Sequence, residues 1–420
     1  MNLYNLERST TTKVARKAIG NLLNTYHLKT KTIVKDASRQ VSHVAIFDEA
    51  GNELAAGSGK GKNHSIGAQA EAIEHYLLMQ DTLKVLLQPT TFSKIIDQNE
   101  FKLDGILRAS RNDNDHGYEN DNNKNNRLQS VNFTNAITQR NCLVPYVLVN
   151  PFYAKMASLQ EQTLGKYSSN SGTSLGITFE DAYLHGINET IERHYYSQLC
   201  LDLIGRSTGI KWHLICSEME FATPEILTTR KKIVGDTNSE VMTVFTQTPF
   251  NSFVAFSFLK DSSRCRYKFK LSMAGGGSSL SFDLAILRSM DELLQLVALN
   301  SEKENAEDEQ AIAFLSANGL LRKLIYIEFS DLKKISSPLS PPLHFSKRMA
   351  AASTKDQVIY LNQKLFAAGF SPLFREILNH EGVSIVQVFI PGMDRFHLIR
   401  SGLPVVPQNY YFTRRDYENN

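Results

Sequence analysis

Cysteine is scarce in this chain: Cys142, Cys200, Cys216 and Cys265 are the only four among 420 residues, and no two form a CxxC pair. That spacing excludes a zinc site built from paired cysteines and a disulfide-dense scaffold. A surplus of one charge is also lacking, since 46 basic residues face 43 acidic ones for a formal +3. So even a balance gives no electrostatic ground for nucleic acid or a membrane surface as partner. No run approaches the roughly 20 apolar residues that a membrane-spanning helix needs. The opening Met1–Arg8 holds no cationic stretch followed by an apolar one, so no secretory signal is expected and the default location is cytoplasmic. Three motifs are missing too. Gly57–Lys62 (GSGKGK) lacks the glycine spacing of a Walker A loop, and neither Gly-x-Gly-x-x-Gly nor Gly-x-Ser-x-Gly occurs. A P-loop, a dinucleotide fold and a serine-hydrolase elbow are thereby set aside.

What is present is an ordinary globular composition, 42% hydrophobic and 21% charged. Arg111–Arg127 (RNDNDHGYENDNNKNNR) carries no aliphatic residue and reads as a surface insertion. Ser301–Gln310 reads as a charged surface segment or helix end, and Ser336–Pro342 as a proline-broken connection. None is long enough for a tether, so one composite domain is expected over residues 1–407, followed by a tail at 408–420. Apolar patterns predict strands at Val41–Phe47, Leu54–Ala56, Leu143–Val149, Phe253–Phe258, Leu324–Phe329 and Val383–Ile390. Amphipathic helices interspersed with them make the expected class α+β, mixed sheets with packed helices. Trp212 is expected in the core, and Cys200 and Cys216 are expected as buried thiols.

Three helices present carboxylates. Within Ser65–Met79, Glu71 and Glu74 are three apart and share a face. An ExxE taken alone is most often a solvated acidic face. The second helix opens at Thr178-Phe179-Glu180-Asp181, a capping-box pattern. It carries Glu189, Glu192 and Arg193, with His185 on the same side, and follows a Ser/Gly-rich stretch, Ser168–Gly176, of the kind that offers backbone N–H groups to a phosphate. The third, Ser281–Val297, places Arg288, Glu292 and Gln295 on one stripe. Carboxylates from separate helices converging on Mg²⁺, with arginines on phosphate oxygens, would make a nucleotide site without a P-loop.

The ordered set Gly59-Lys60-Gly61, Glu71-x-x-Glu74, Ser169-Asn170, Ser174-x-Gly176, Asp181-Ala182, Glu189-x-x-Glu192-Arg193, Arg288-x-x-x-Glu292-x-x-Gln295 and Val388–Gly392 resembles the YcaO family over roughly residues 40–400. The resemblance implies a YcaO-like fold and an ATP- and Mg²⁺-dependent enzyme acting on peptide amides. In the family's cyclodehydratases a Cys, Ser or Thr side chain attacks the preceding amide, ATP phosphorylates the oxygen, and phosphate leaves an azoline in a ribosomally made peptide such as a bacteriocin. It implies Glu71, Glu189, Glu192 and Glu292 as Mg²⁺ ligands, and Glu74, Ser174, Asp181, Arg193 and Arg288 as ATP contacts. Against the family pattern, Gly67 stands for a serine, His75 for an arginine, Ile177 for an asparagine and Asp181 for a glutamate. Two alternatives stay open: peptide thioamidation at the same site, and a non-catalytic accessory role in methylthiolation of a ribosomal protein. Expected partners are a peptide substrate and a separate leader-recognition protein, because no cysteine-bound zinc module is present; a homodimer is left open.

Overall fold

The computed structural model describes residues 3–108, 127–215, 223–261, 270–300, 302–338, 349–380 and 382–408. Most of the expected polar insertion, Cys216, Cys265, the end of the proline-rich connection and nearly all of the tail lie outside them. Among the described residues three sheets organise the fold, packed with helices in the α+β manner expected.

The first sheet is an antiparallel meander of β1 (Lys29–Asp36), β2 (Val41–Phe47) and β3 (Glu53–Lys60). Its β1 edge is lined with exposed Lys and Thr, whereas β2 is largely buried. The third contains β4 (Gln88–Thr91), β5 (Arg127–Asn135), β6 (Asn141–Pro145), β7 (Thr173–Gly176), β13 (Leu373–His380) and β14 (Val383–Phe389), ordered β4-β5-β13-β14-β7 with β6 on β5. The second is ordered β11-β10-β9-β8-β12, from β8 (Trp212–Ile215), β9 (Val241–Gln247), β10 (Phe253–Leu259), β11 (Ala274–Ser279) and β12 (Ser336–Pro338). Every residue of β10 and β14 is buried, which is why both read as near-continuous apolar runs.

The longer helices are α1 (Thr12–Thr25), α2 (His64–Lys84), α3 (Phe179–Leu203), α4 (Pro224–Thr237), α5 (Phe282–Leu299), α6 (Glu302–Ser316) and α7 (Thr354–Ala367). The Thr178 hydroxyl accepts from the Asp181 amide and starts α3; Ser281 does the same for α5 through Leu284. Trp212 and Cys200 are buried in the main core.

Two expected strands are corrected. Leu143–Val149 is a strand only to Pro145, and Tyr146–Val149 is a buried helical turn. Proline cannot donate to a ladder, so pairing ends there. Leu324–Phe329 is not a strand: Leu321–Leu324 is a 3-10 turn, and a helix begins at Phe329 where the Glu328 amide donates to Asp331. The alternating apolar residues there point into the core from a turn rather than a pleat. Ser301–Gln310 falls within α6 from Glu302 onward.

Three strand–helix units carry the acidic residues: β3 into α2, β7 into α3, and β11 into α5. In β11 the glycine run lets helix and strand touch. A Cβ on Gly277 would lie 2.2 Å from the Ala285 carbonyl of α5, and one on Gly276, facing the other way, 2.5 Å from a Glu192 carboxylate oxygen. Glycine therefore brings the α5 backbone down onto the sheet and leaves space for an α3 carboxylate on the opposite face.

Candidate functional site

The three units bring Glu71 and Glu74 (α2), Glu189, Glu192 and Arg193 (α3) and Glu292 (α5) into one cluster of interacting charges, joined by Lys60 at the end of β3. Arg193 sits amid the α3 and α5 carboxylates. Its Nη1 is 3.3 Å from Glu192 Oε1, and its Nη2 is 3.9 Å from both Glu189 Oε1 and Glu292 Oε1. Lys60 Nζ pairs with Glu292 Oε2, joining positions 232 residues apart in sequence. Backbone amides complete the frame. Ser58 N donates to Glu71 at 2.9 Å, Gly172 N to Glu189 at 3.1 Å, and Leu175 N to Glu74 at 2.5 Å.

The electrostatics show a surplus of negative charge. Burial pushes Glu74 up to about 8; the Leu175 amide opposes this, while repulsion from Glu71 and Glu189 adds to it. Burial likewise raises Glu192 to about 7, with Arg193 opposing and Glu292 reinforcing. Glu189 is raised by burial as well. Glu292 goes the other way: burial is outweighed by Lys60 and Arg193, which hold its carboxylate below the usual range. Burial disfavours charge on Arg193, yet Glu192, Glu292 and Glu189 together hold its guanidinium firmly protonated. Carboxylates thus outnumber the cations that neutralise them, and a further positive charge would relieve the imbalance.

Hard oxygen donors of this kind suit Mg²⁺. Among the described residues no group of three or more ligand side chains is placed to hold a metal ion; Lys60 pairs with Glu292 and Arg193 with Glu192 instead. One buried polar atom here also lacks a partner. His185 Nδ1 has no hydrogen bond, and burial, then Arg8, Arg288 and Lys60, keep its imidazole neutral.

Arg288 and Asp181 make their contacts outside the carboxylate cluster. Arg288 Nη1 donates to the Ser278 carbonyl at 2.8 Å and pairs with Glu7 Oε2 at 2.7 Å. Asp181 accepts from the Ser9 amide at 2.9 Å and the Ser9 hydroxyl at 2.7 Å. Arg8 lies near both; burial and then Arg288 lower its affinity for its proton, with Asp181, Glu7 and Glu74 opposing. Ser174 is fully buried and its hydroxyl donates to the Ala182 carbonyl at 2.5 Å, so that oxygen serves the β7–α3 junction. His75 bridges Ala56 O at 2.8 Å and the Asn170 side chain at 3.1 Å. Ile177 packs with the apolar cluster between the first and third sheets, and a Cβ on Gly67 would meet only the Gly59 Cα, at 3.5 Å. Sequence reasoning did not single out Glu7, Arg8 or Ser9. They carry no motif of their own, and the hydrogen-bond and ion-pair partners of Glu7 and Ser9 lie 169 to 281 residues away.

Residues 58–394 match the family model described as YcaO cyclodehydratase, ATP- and Mg²⁺-binding. No curated protein matches the sequence. Among solved structures the fold is similar to a heterocyclase in complex with substrate and cofactor, at TM-score 0.64 and 16% identity. That match takes in 93% of this chain and 54% of the heterocyclase, so the chain spans about half that protein's length. YcaO from Methanopyrus kandleri bound with AMPPCP and Mg²⁺ matches at TM-score 0.58 and 15% identity over 94% of each chain. The E. coli microcin synthetase McbBCD complex with pro-MccB17 bound matches at TM-score 0.56 and 13% identity, over 87% of this chain and 88% of that one. At these identities the solved structures establish the fold.

Proposed function

The chain belongs to the YcaO cyclodehydratase family, and we propose that it is an ATP- and Mg²⁺-dependent cyclodehydratase that forms azolines from Cys, Ser or Thr in a ribosomally made peptide. The observation that carries this reading is the gathering of Glu71, Glu189, Glu192 and Glu292 into one interacting cluster, with Arg193 paired to the last three.

An amide oxygen is a poor leaving group. Attack by the neighbouring side chain, with loss of its proton, places negative charge on that oxygen; transfer of the ATP γ-phosphoryl group caps it and releases ADP, and loss of phosphate together with the amide N–H proton leaves the C=N bond of the ring. Phosphoryl transfer asks for positioning and charge neutralisation more than for covalent help from the protein. Glu71, Glu189, Glu192 and Glu292 would hold Mg²⁺, which on binding would neutralise phosphate charge. Arg193, fixed by three carboxylates, would present the rest of its guanidinium to phosphate. Glu74, Arg288 and Asp181 would contact the nucleotide from beside the cluster, and Ser174 would support the site at the β7–α3 junction. Peptide recognition would fall to a separate protein, consistent with the likeness to a multi-subunit synthetase.

The test is ATP hydrolysis by the full chain with and without a cognate precursor peptide, followed by product mass. Peptide-stimulated hydrolysis with loss of water supports cyclodehydration. Oxygen-to-sulfur exchange would assign thioamidation instead, and no hydrolysis under either condition would favour the accessory role.

A further inference from the structure

The N-terminal segment Leu3–Thr10 precedes the region matched to the family, yet it is built into the wall of the candidate nucleotide site. Leu3 and Leu6 are buried in the cluster that packs α5 against the second sheet. Tyr4 reaches Asp291, which in turn accepts from Thr229 at 3.1 Å. The deepest polar contact is Glu7, whose side chain is 3% exposed. Its carboxylate accepts from Ser279 Oγ and, at 3.1 Å, from Asn188 Nδ2, and it pairs with Arg288 Nη1 at 2.7 Å. Because Nη1 also donates to the Ser278 carbonyl, one arm of the Arg288 fork is bound wholly to protein.

We propose that Glu7 is the positioning residue for Arg288: it anchors one guanidinium nitrogen so that the rest of the fork is presented to the nucleotide. This rests on Arg288 being a nucleotide contact. The physical ground is the cost of ordering a long side chain on binding. A buried carboxylate held by two further donors fixes the guanidinium before ligand arrives, and a planar fork fixed through one nitrogen has its remaining donors aimed. The opposite role, a carboxylate plug that competes with phosphate for Arg288, predicts the opposite sign, since removing the negative charge would then tighten nucleotide binding.

The experiment titrates Mg²⁺·AMPPCP into the full chain for wild type, Glu7→Gln, Arg288→Ala and the double variant, each with its melting temperature. Glu7→Gln should weaken binding about tenfold, the scale of one lost charge-assisted contact. In the Arg288→Ala background the same change should have no further effect, a non-additivity that a merely structural role would not produce. Ser279→Ala, which frees the Glu7 carboxylate without removing its charge, should show a smaller loss in the same direction and serves if Glu7→Gln does not fold. Unchanged or tighter binding for Glu7→Gln, or full additivity with Arg288→Ala, overturns the proposal. Unaltered binding in Arg288→Ala alone overturns the prior assignment of Arg288 to the nucleotide.

Discussion

Glu192 is costly to the fold as a buried carboxylate, and the proposed function requires it at the site. Burial and the neighbouring Glu292 push its carboxylate to about 7, so in the absence of a further cation its charged form is poorly accommodated. Glu192→Gln keeps the shape and removes the charge. We expect it to abolish nucleotide turnover while leaving the melting temperature of the nucleotide-free protein equal or higher. Full turnover in the folded variant would remove Glu192 from the site.

His194, two positions along α3, gives a prediction of opposite character. Burial alone lowers it to about 4, and its Nδ1 accepts from the Asp394 amide at 2.9 Å. Its folded pKa is below the unfolded value of about 6.5, so the unfolded chain takes up the proton first. The stability it contributes is complete above about pH 6.5 and is lost as pH falls toward 4, by up to about 3 kcal/mol. His194→Gln, which can still accept from Asp394, should therefore gain on wild type as pH falls through that window in denaturant titrations. Parallel stability curves would contradict it.

At the scale of elements, the glycine strand β11 separates fold from function. A Cβ on Gly277 would strike the α5 main chain at the Ala285 carbonyl, so Gly277→Ala must push helix from sheet and should destabilise by about 1–3 kcal/mol or more. The nearest atoms to a Cβ on Gly276 all belong to the Glu192 side chain. Gly276→Ala should thus melt near wild type yet lose most of its nucleotide turnover by displacing that carboxylate. Circular dichroism melts beside ATPase rates read both effects. Equal stability loss in the two variants would mean that the strand does not discriminate its faces in this way.

Across the whole molecule, what could be read from sequence followed from how local each signal was. The helices bearing Glu71, Glu189 and Glu292 were legible because apolar period and caps at Thr178 and Ser281 are written within a few residues. The buried strands Phe253–Leu259 and Val383–Phe389 were legible as short apolar runs. Tyr146–Val149 and Leu324–Phe329 were misread because an apolar run looks alike in a strand and in a buried turn until its hydrogen bonds are known. The contacts of Glu7 with Arg288 and of Lys60 with Glu292 were not legible at all, since each joins distant segments with no pattern linking them. The order of motifs along the chain supplied what local signals could not: that separate acidic helices belong together.

The central claim is that those helices build one Mg²⁺-dependent nucleotide site. Calorimetric titration of AMPPCP into the full chain, with Mg²⁺ and with Mg²⁺ removed, tests it most directly in wild type and in the Glu→Gln variants at positions 71, 189, 192 and 292. Saturable binding that needs Mg²⁺ and is weakened at least tenfold by each substitution is the predicted result. Nucleotide binding indifferent to Mg²⁺ and to all four substitutions would contradict it.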